Sequence, residues 1–219
     1  MGINKMFLRV FLLLVMSIKV NNSVGQMIAV HGMVAKPVTG SVAAPLQTVW
    51  ISFNKFRQTL PSGWYTWWDS EDSAVNLKNS ASASTGWNLV DISGGWAQEQ
   101  QSSTHVDNEF PAAALEWMVY STNQDKNIRL INLASTGKRY ELIFSCVKTY
   151  DGADDETDIT VNGVTKKGTL GVANAIYKTI FSVSNPPSGI IDIQFHPANY
   201  GNGDAYACIN ALIIKEYAL

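Results

Sequence analysis

Three tryptophans within five residues, Trp64, Trp67 and Trp68, are the side chains of this chain best suited to recognition. A flat indole offers a large apolar area and an electron-rich π face, on which the axial C–H groups of a sugar ring can stack. In an extended backbone side chains alternate, so Trp64 and Trp68 share one face and Trp67 takes the other. All three cannot then be buried in one core. A second set, Asn199, Tyr200, Asn202, Asp204 and Tyr206, stands in a glycine-rich stretch near the end. Amides and carboxylates match the donor–acceptor pattern of hydroxyls, and tyrosine adds a stacking face with a polar tip. The same residue types also build ordinary turns.

A third set is acidic. Asp151, Asp154, Asp155, Glu156 and Asp158 place five carboxylates in eight residues. Asp151, Asp154, Asp155 and Asp158 offer the oxygen ligands of which Ca2+ takes roughly six to eight. The spacing lacks the alternating Asp/Asn pattern followed by glycine that marks a calcium loop. Two other readings stand beside the metal site: hydrogen bonding to sugar hydroxyls, and a solvated loop that blunts a sheet edge. For catalysis the inventory is thin. The three histidines, His31, His105 and His196, have no metal-ligand spacing, and there is no G-x-S-x-G turn. Glycoside hydrolysis needs two carboxylates facing each other across a cleft, whereas the acids here concentrate in one stretch. The expectation is a protein that binds and does not catalyse.

The elements that must position these groups read as strands. In TVWISF (48–53) Val49, Ile51 and Phe53 alternate with Trp50 and Ser52, and in Tyr140–Lys148 Tyr140, Leu142, Phe144 and Cys146 share a face. Further runs fall at Ala74–Leu77, Trp87–Ile92, Leu115–Tyr120, Ile128–Leu133, Thr157–Val161, Val164–Leu170, Ala175–Val183, Gly189–Phe195 and Ala205–Tyr217. Asn162-Gly163 closes a tight hairpin. Ser93–Pro111 reads as a long surface loop, with a weak helical signal around Pro111–Leu115. The last run is apolar on both faces, which predicts a strand in the middle of a sheet. Trp50, Trp87 and Trp117 sit inside strands and are expected in the core. Many short strands without a long amphipathic helix predict an all-β, antiparallel β-sandwich or jelly roll.

Ahead of this domain, Lys5 and Arg9, the apolar run Val10–Ile18 and Ser23-Val24-Gly25 form a secretory signal peptide over residues 1–25. The run is about half the roughly 20 residues of a membrane span. Residues 26–47 read as a leader or linker, and 48–219 as the sandwich. Taking Lys5, Arg9 and Lys19 from the 16 basic residues leaves 13 against 18 acidic ones, a net charge of −5. That gives no electrostatic case for nucleic acid. Cys146 and Cys208, 62 residues apart, can pair as a disulfide in an oxidising compartment or serve as small buried hydrophobes.

From Ile128 onward, YELIFSC, ETDITVNG, a strand pair around Asn174, SGIIDIQF and YACINALIIKEY follow one another in a familiar order. This order resembles galactose-binding-like β-sandwich domains, similar to carbohydrate-binding modules and malectin-like domains of exported bacterial proteins. TVWISF and the PSGW turn extend the match over Thr48–Tyr217. The resemblance implies a secreted, periplasmic or cell-surface domain that recognises a glycan or polysaccharide through loop aromatics and Asn/Asp side chains. The alternatives are an adhesion or structural sandwich contacting other exported proteins, and a glycoside-active enzyme.

Overall fold

The computed structural model describes residues 43–54, 59–67, 75–100, 108–122, 124–146, 155–168, 178–199 and 206–219, all within one compact unit, Ala43–Leu219. Residues 1–42, which include the expected signal peptide and most of the expected leader, lie outside them, as do Trp68, Asp151, Asp154, Tyr200, Asn202 and Asp204. Fourteen strands run through the described residues. The first five are β1 (Gln47–Phe53), β2 (Trp64–Trp67), β3 (Val75–Lys78), β4 (Ser84–Asp91) and β5 (Ala97–Gln100). One helical turn, α1 (Ala112–Leu115), precedes β6 (Trp117–Thr122), β7 (Lys126–Ile131) and β8 (Lys138–Ser145). Then come β9 (Asp155–Val161), β10 (Val164–Gly168), β11 (Lys178–Ser184), β12 (Ile191–Asn199), β13 (Tyr206–Ile209) and β14 (Ala211–Ala218).

The strands form a five-stranded sheet, β11-β8-β14-β1-β2, a six-stranded sheet, β10-β9-β12-β7-β4-β3, and a small sheet, β13-β6-β5. Every pairing is antiparallel except β1 with β2. The alternating apolar sets meet between the two large sheets. Val49, Ile51, Phe53, Leu142, Phe144, Leu212 and Ile214 face Leu89, Ile128, Leu130, Ile159, Ile193 and Phe195 in one continuous core. Phe144 meets Phe195 edge-on across the gap, 5.8 Å between ring centres. Each such buried side chain contributes about 1.5–3 kcal/mol by leaving water. This is the predicted all-β, antiparallel sandwich.

β14 lies third of five, between β8 and β1, as its two apolar faces require. Asn162 and Gly163 take positive φ angles of 46° and 81° in the β9–β10 hairpin. The helical turn α1 stands where the weak signal lay.

Two expectations are corrected. The single run Ala205–Tyr217 is two strands in different sheets, because the chain bends at Asn210. Ser93–Pro111 is not loop throughout: Ala97–Gln100 is β5, pairing with β6. In that region Trp96 is buried against Phe195, and buried Lys126 donates to the carbonyls of Gly94 and Gly95. Trp64–Trp67 is strand β2, the extended backbone on which the alternation of its tryptophans was argued. Cys146 and Cys208 are buried neighbours, and both are thiols. The Cys146 thiol donates to the Cys208 carbonyl oxygen at 2.9 Å. Its contact with Cys208, together with burial, pushes its pKa well above the ordinary thiol value.

Candidate functional site

On the outer face of the five-stranded sheet the strand alternation puts side chains that a core reading would bury. With Val49, Ile51 and Phe53 inward, β1 turns Thr48, Trp50 and Ser52 outward. The parallel register sets Trp50 beside Trp64, and the two half-buried rings lie 6.1 Å apart at 20°. Trp64 leans on Phe110, 6.2 Å away. Phe110, just before α1, and Leu115, its last residue, pack with Ile143, Ala211 and Ile213 into a second apolar cluster, against which Trp50 and Trp64 rest. Two ties hold this cover down. Ser52 Oγ donates to the Ala114 carbonyl at 3.1 Å, and Asn210 Nδ2 donates to the carbonyls of Leu115 and Trp117 at 3.1 and 3.0 Å.

The turn before β2 presses on the same rings. Gly63 has φ +90°, and a Cβ there would stand 2.8 Å from the Ser80 carbonyl oxygen and 3.0 Å from the Trp50 ring. Only glycine combines that backbone angle with that proximity. Between the turn and the α1 cover lies a groove of about 420 Å3, lined by Thr48, Trp50, Pro61, Ser62, Trp64, Asn108, Glu109, Pro111, Ile213 and Lys215. Its size is that of small-ligand sites.

One carboxylate organises the polar wall. Glu109 accepts from Lys178 Nζ at 2.8 Å through one oxygen and from Lys215 Nζ at 2.6 Å through the other. The Lys178 and Lys215 hydrogen bonds hold its carboxyl below the usual carboxylate range, against a smaller opposing effect of burial. Burial works against the charge on Lys215, but its bond to Glu109 and the nearby Glu141 raise its pKa overall. Because the Glu109 pKa is depressed in the folded state, its contribution to stability is full above about pH 4.5 and is lost as pH falls through the folded value. Glu109→Gln should therefore lower the thermal midpoint at pH 7 by about 3 °C, reflecting about 1 kcal/mol for partly exposed pairs. The gap between parent and variant should close in acid. A gap that persists at pH 2, measured by melting both proteins across the pH range, would contradict this role.

The sequence-predicted site residues divide. Trp64 lines the groove. Trp67 does not: it is 2% exposed and edge-on to Phe53, a core side chain, because it lies on the opposite face of β2. Trp87 is buried in the core as expected, but Trp50 is not, since it faces outward into the groove. Tyr206 belongs to β13 and packs edge-on against Tyr120, so it takes no part in this groove. Asn199 ends β12, its backbone in register with Asp155 of β9. Asp158 lies in β9, in register with Lys167 and His196 on either side, and not in a loop. Among the described residues no three His, Cys, Asp or Glu side chains gather as a metal site. Sequence reasoning missed Asn108, Glu109 and the two lysines.

No family model and no curated protein matches the chain. Among solved structures it is similar to the extracellular domain of ANXUR1 from Arabidopsis thaliana, at 12% identity and TM-score 0.52, over 78% of this chain and 49% of that one. It is also similar to the plant receptor-like kinase ANX2, at 11% identity and TM-score 0.54, over 79% and 49%. The chain spans about half the length of these proteins. At such identity the likeness is one of fold, and it agrees with the malectin-like sandwich that the sequence resembles. The relatives named are from plants, so they add nothing to the bacterial setting of that resemblance. Among the described residues no helix is long and apolar enough to cross a membrane.

Proposed function

We propose that the chain is an exported, non-catalytic carbohydrate-binding domain whose ligand occupies the groove beside Trp50 and Trp64. The observation that carries this reading is the pair of outward indoles in one groove with a doubly braced carboxylate. Apolar ring surface receives the C–H side of a saccharide, and Glu109 Oε1 and Oε2, Asn108 and Ser62 serve its hydroxyls. Glu109 is fixed by two ammonium groups before any ligand arrives, so little ordering is needed on binding. Both its oxygens are engaged by lysine, which suits hydrogen bonding and not proton transfer. The fold, shared with extracellular domains, supports the exported setting.

The test is retention of the purified domain on a panel of insoluble polysaccharides, repeated with chelator present. Trp64→Ala should weaken binding by roughly 5- to 30-fold, following the about 1–2 kcal/mol typical of an aromatic contact. Its midpoint should fall only a few degrees, because the ring is half-buried. Trp67→Ala, which empties part of the core, should lose about 3–5 kcal/mol of stability. Trp64→Ala protein that is folded and binds as tightly as the parent removes this site. Loss of binding on chelation would point to a cation held by the acidic run. Retention by an exported protein and by no polysaccharide would favour an adhesion domain.

A further inference from the structure

The outer face of the six-stranded sheet carries a second groove, of about 340 Å3, on the side of the sandwich opposite the tryptophans. Its walls are Asn127 and Arg129 of β7, Asp192 and Gln194 of β12, Asn162 of the β9–β10 hairpin, and Ile92 after β4. These are side chains that the alternation turns away from the core, whose inward set here is Ile128, Leu130, Ile191 and Ile193. The polar groups are held in place but not used up. Arg129 Nε donates to Asp192 Oδ1 at 2.5 Å, and its terminal nitrogens make no hydrogen bond among the described residues. Gln194 Nε2 donates to Asp125 at 3.0 Å, and its carbonyl oxygen makes no hydrogen bond among the described residues. Asn162 Oδ1 accepts from the Asp192 backbone N–H at 2.8 Å, leaving its amide nitrogen. The Asn127 side chain is likewise unengaged among the described residues. Ile92, 51% exposed, adds an apolar edge.

We infer that this face is a second saccharide site, one that takes a neutral sugar chain by hydrogen bonding rather than by stacking. The fit is chemical. Guanidinium and amide donors stand beside amide and carboxylate acceptors at close spacing, the complement of adjacent ring hydroxyls, which both donate and accept. The Arg129–Asp192 pair is neutral as a unit, and Asp125 lies next along the sheet, so an anionic ligand gains nothing here. The inference rests on the carbohydrate-binding reading, and it makes the domain bivalent. Two grooves on opposite faces would bridge two chains of a polysaccharide, raising avidity without any new contact.

Calorimetric titration of the full chain with cellohexaose, mannohexaose and xylohexaose separates the cases. At least one hexasaccharide should bind with two molecules per chain. Arg129→Ala combined with Gln194→Ala should bring this to one, while Trp64→Ala alone should weaken one of the two sites roughly 5- to 30-fold, with the other site keeping its affinity within about twofold in each case. Asn127→Ala, which breaks no ion pair, gives the same loss of one site if the double variant folds poorly. A parent stoichiometry of one overturns the inference, and so does a double variant that still binds two. If Trp64→Ala abolishes all binding, the second site is absent while the carbohydrate-binding reading stands. If no hexasaccharide binds the parent, the second site falls, and the polysaccharide panel alone decides the first.

Discussion

Gly189→Ala should lower the thermal midpoint by roughly 10 °C, among the largest effects any single methyl group can have here. Gly189 closes the 3-10 turn Pro187–Gly189 that leads into β12, with φ +68°. Its carbonyl accepts from the Leu133 N–H at 3.0 Å, which locks the turn to the loop between β7 and β8. A Cβ at this position would stand 2.2 Å from the Leu133 carbonyl oxygen. That obstacle is backbone, so no rotamer change relieves it. The turn must shift, breaking the Leu133 bond, while alanine also bears the strain of the left-handed conformation. Together these give about 3–5 kcal/mol, and for a domain of this size each kcal/mol is about 2–4 °C. Thermal unfolding of the two proteins, followed by circular dichroism, checks it. A shift of less than about 2 °C would mean the turn yields freely, contrary to the packing described.

Asn210→Ala should be of similar size and should also reach the groove. The Asn210 side chain is fully buried at the bend between β13 and β14, and its amide serves the carbonyls of Leu115 and Trp117. Its own backbone N–H donates to Ser145 and its carbonyl accepts from Phe53. Alanine keeps the backbone bonds and strips the amide donors. Two buried carbonyls lose a partner at about 1–3 kcal/mol each, so a loss of about 3 kcal/mol and of roughly 10 °C follows. Because this amide anchors the residues bearing Phe110 and Glu109, hydrogen exchange should quicken over 110–117 before the rest of the sheet opens. Uniform exchange with an unchanged midpoint would show that α1 is held by packing alone.

How much of this could be read beforehand depended on whether one residue or two decided the outcome. Strand runs such as Tyr140–Ser145 announce themselves through their own alternation, and Asn162-Gly163 through backbone chemistry. The twofold apolarity of Leu212 and Ile213 placed β14 correctly inside its sheet. Ala97–Gln100 carries no apolar alternation because it edges a small sheet, so its polar letters read as loop. The bend at Asn210 is silent because Cys208, Asn210 and Leu212 keep the period of a single strand. Trp50 was misplaced for a related reason: alternation gives two faces but does not say that both can be apolar, and the outer one here is roofed by α1. Glu109 and its lysines, 69 and 106 residues away, come together only through the fold.

The place of β14 bears on how the chain can acquire its structure. The middle strand of the five-stranded sheet is among the last parts of the described chain to be synthesised, and it pairs with β1, 169 residues earlier at Gln47 and Glu216. Until it arrives, nothing joins the β1–β2 pair to the β8–β11 pair in this sheet. Closing so long a loop before any pairing rewards it makes the sheet slow to nucleate. In a chain of this design the five-stranded sheet is completed only once β14 has been made, so its apolar faces are the last to be covered.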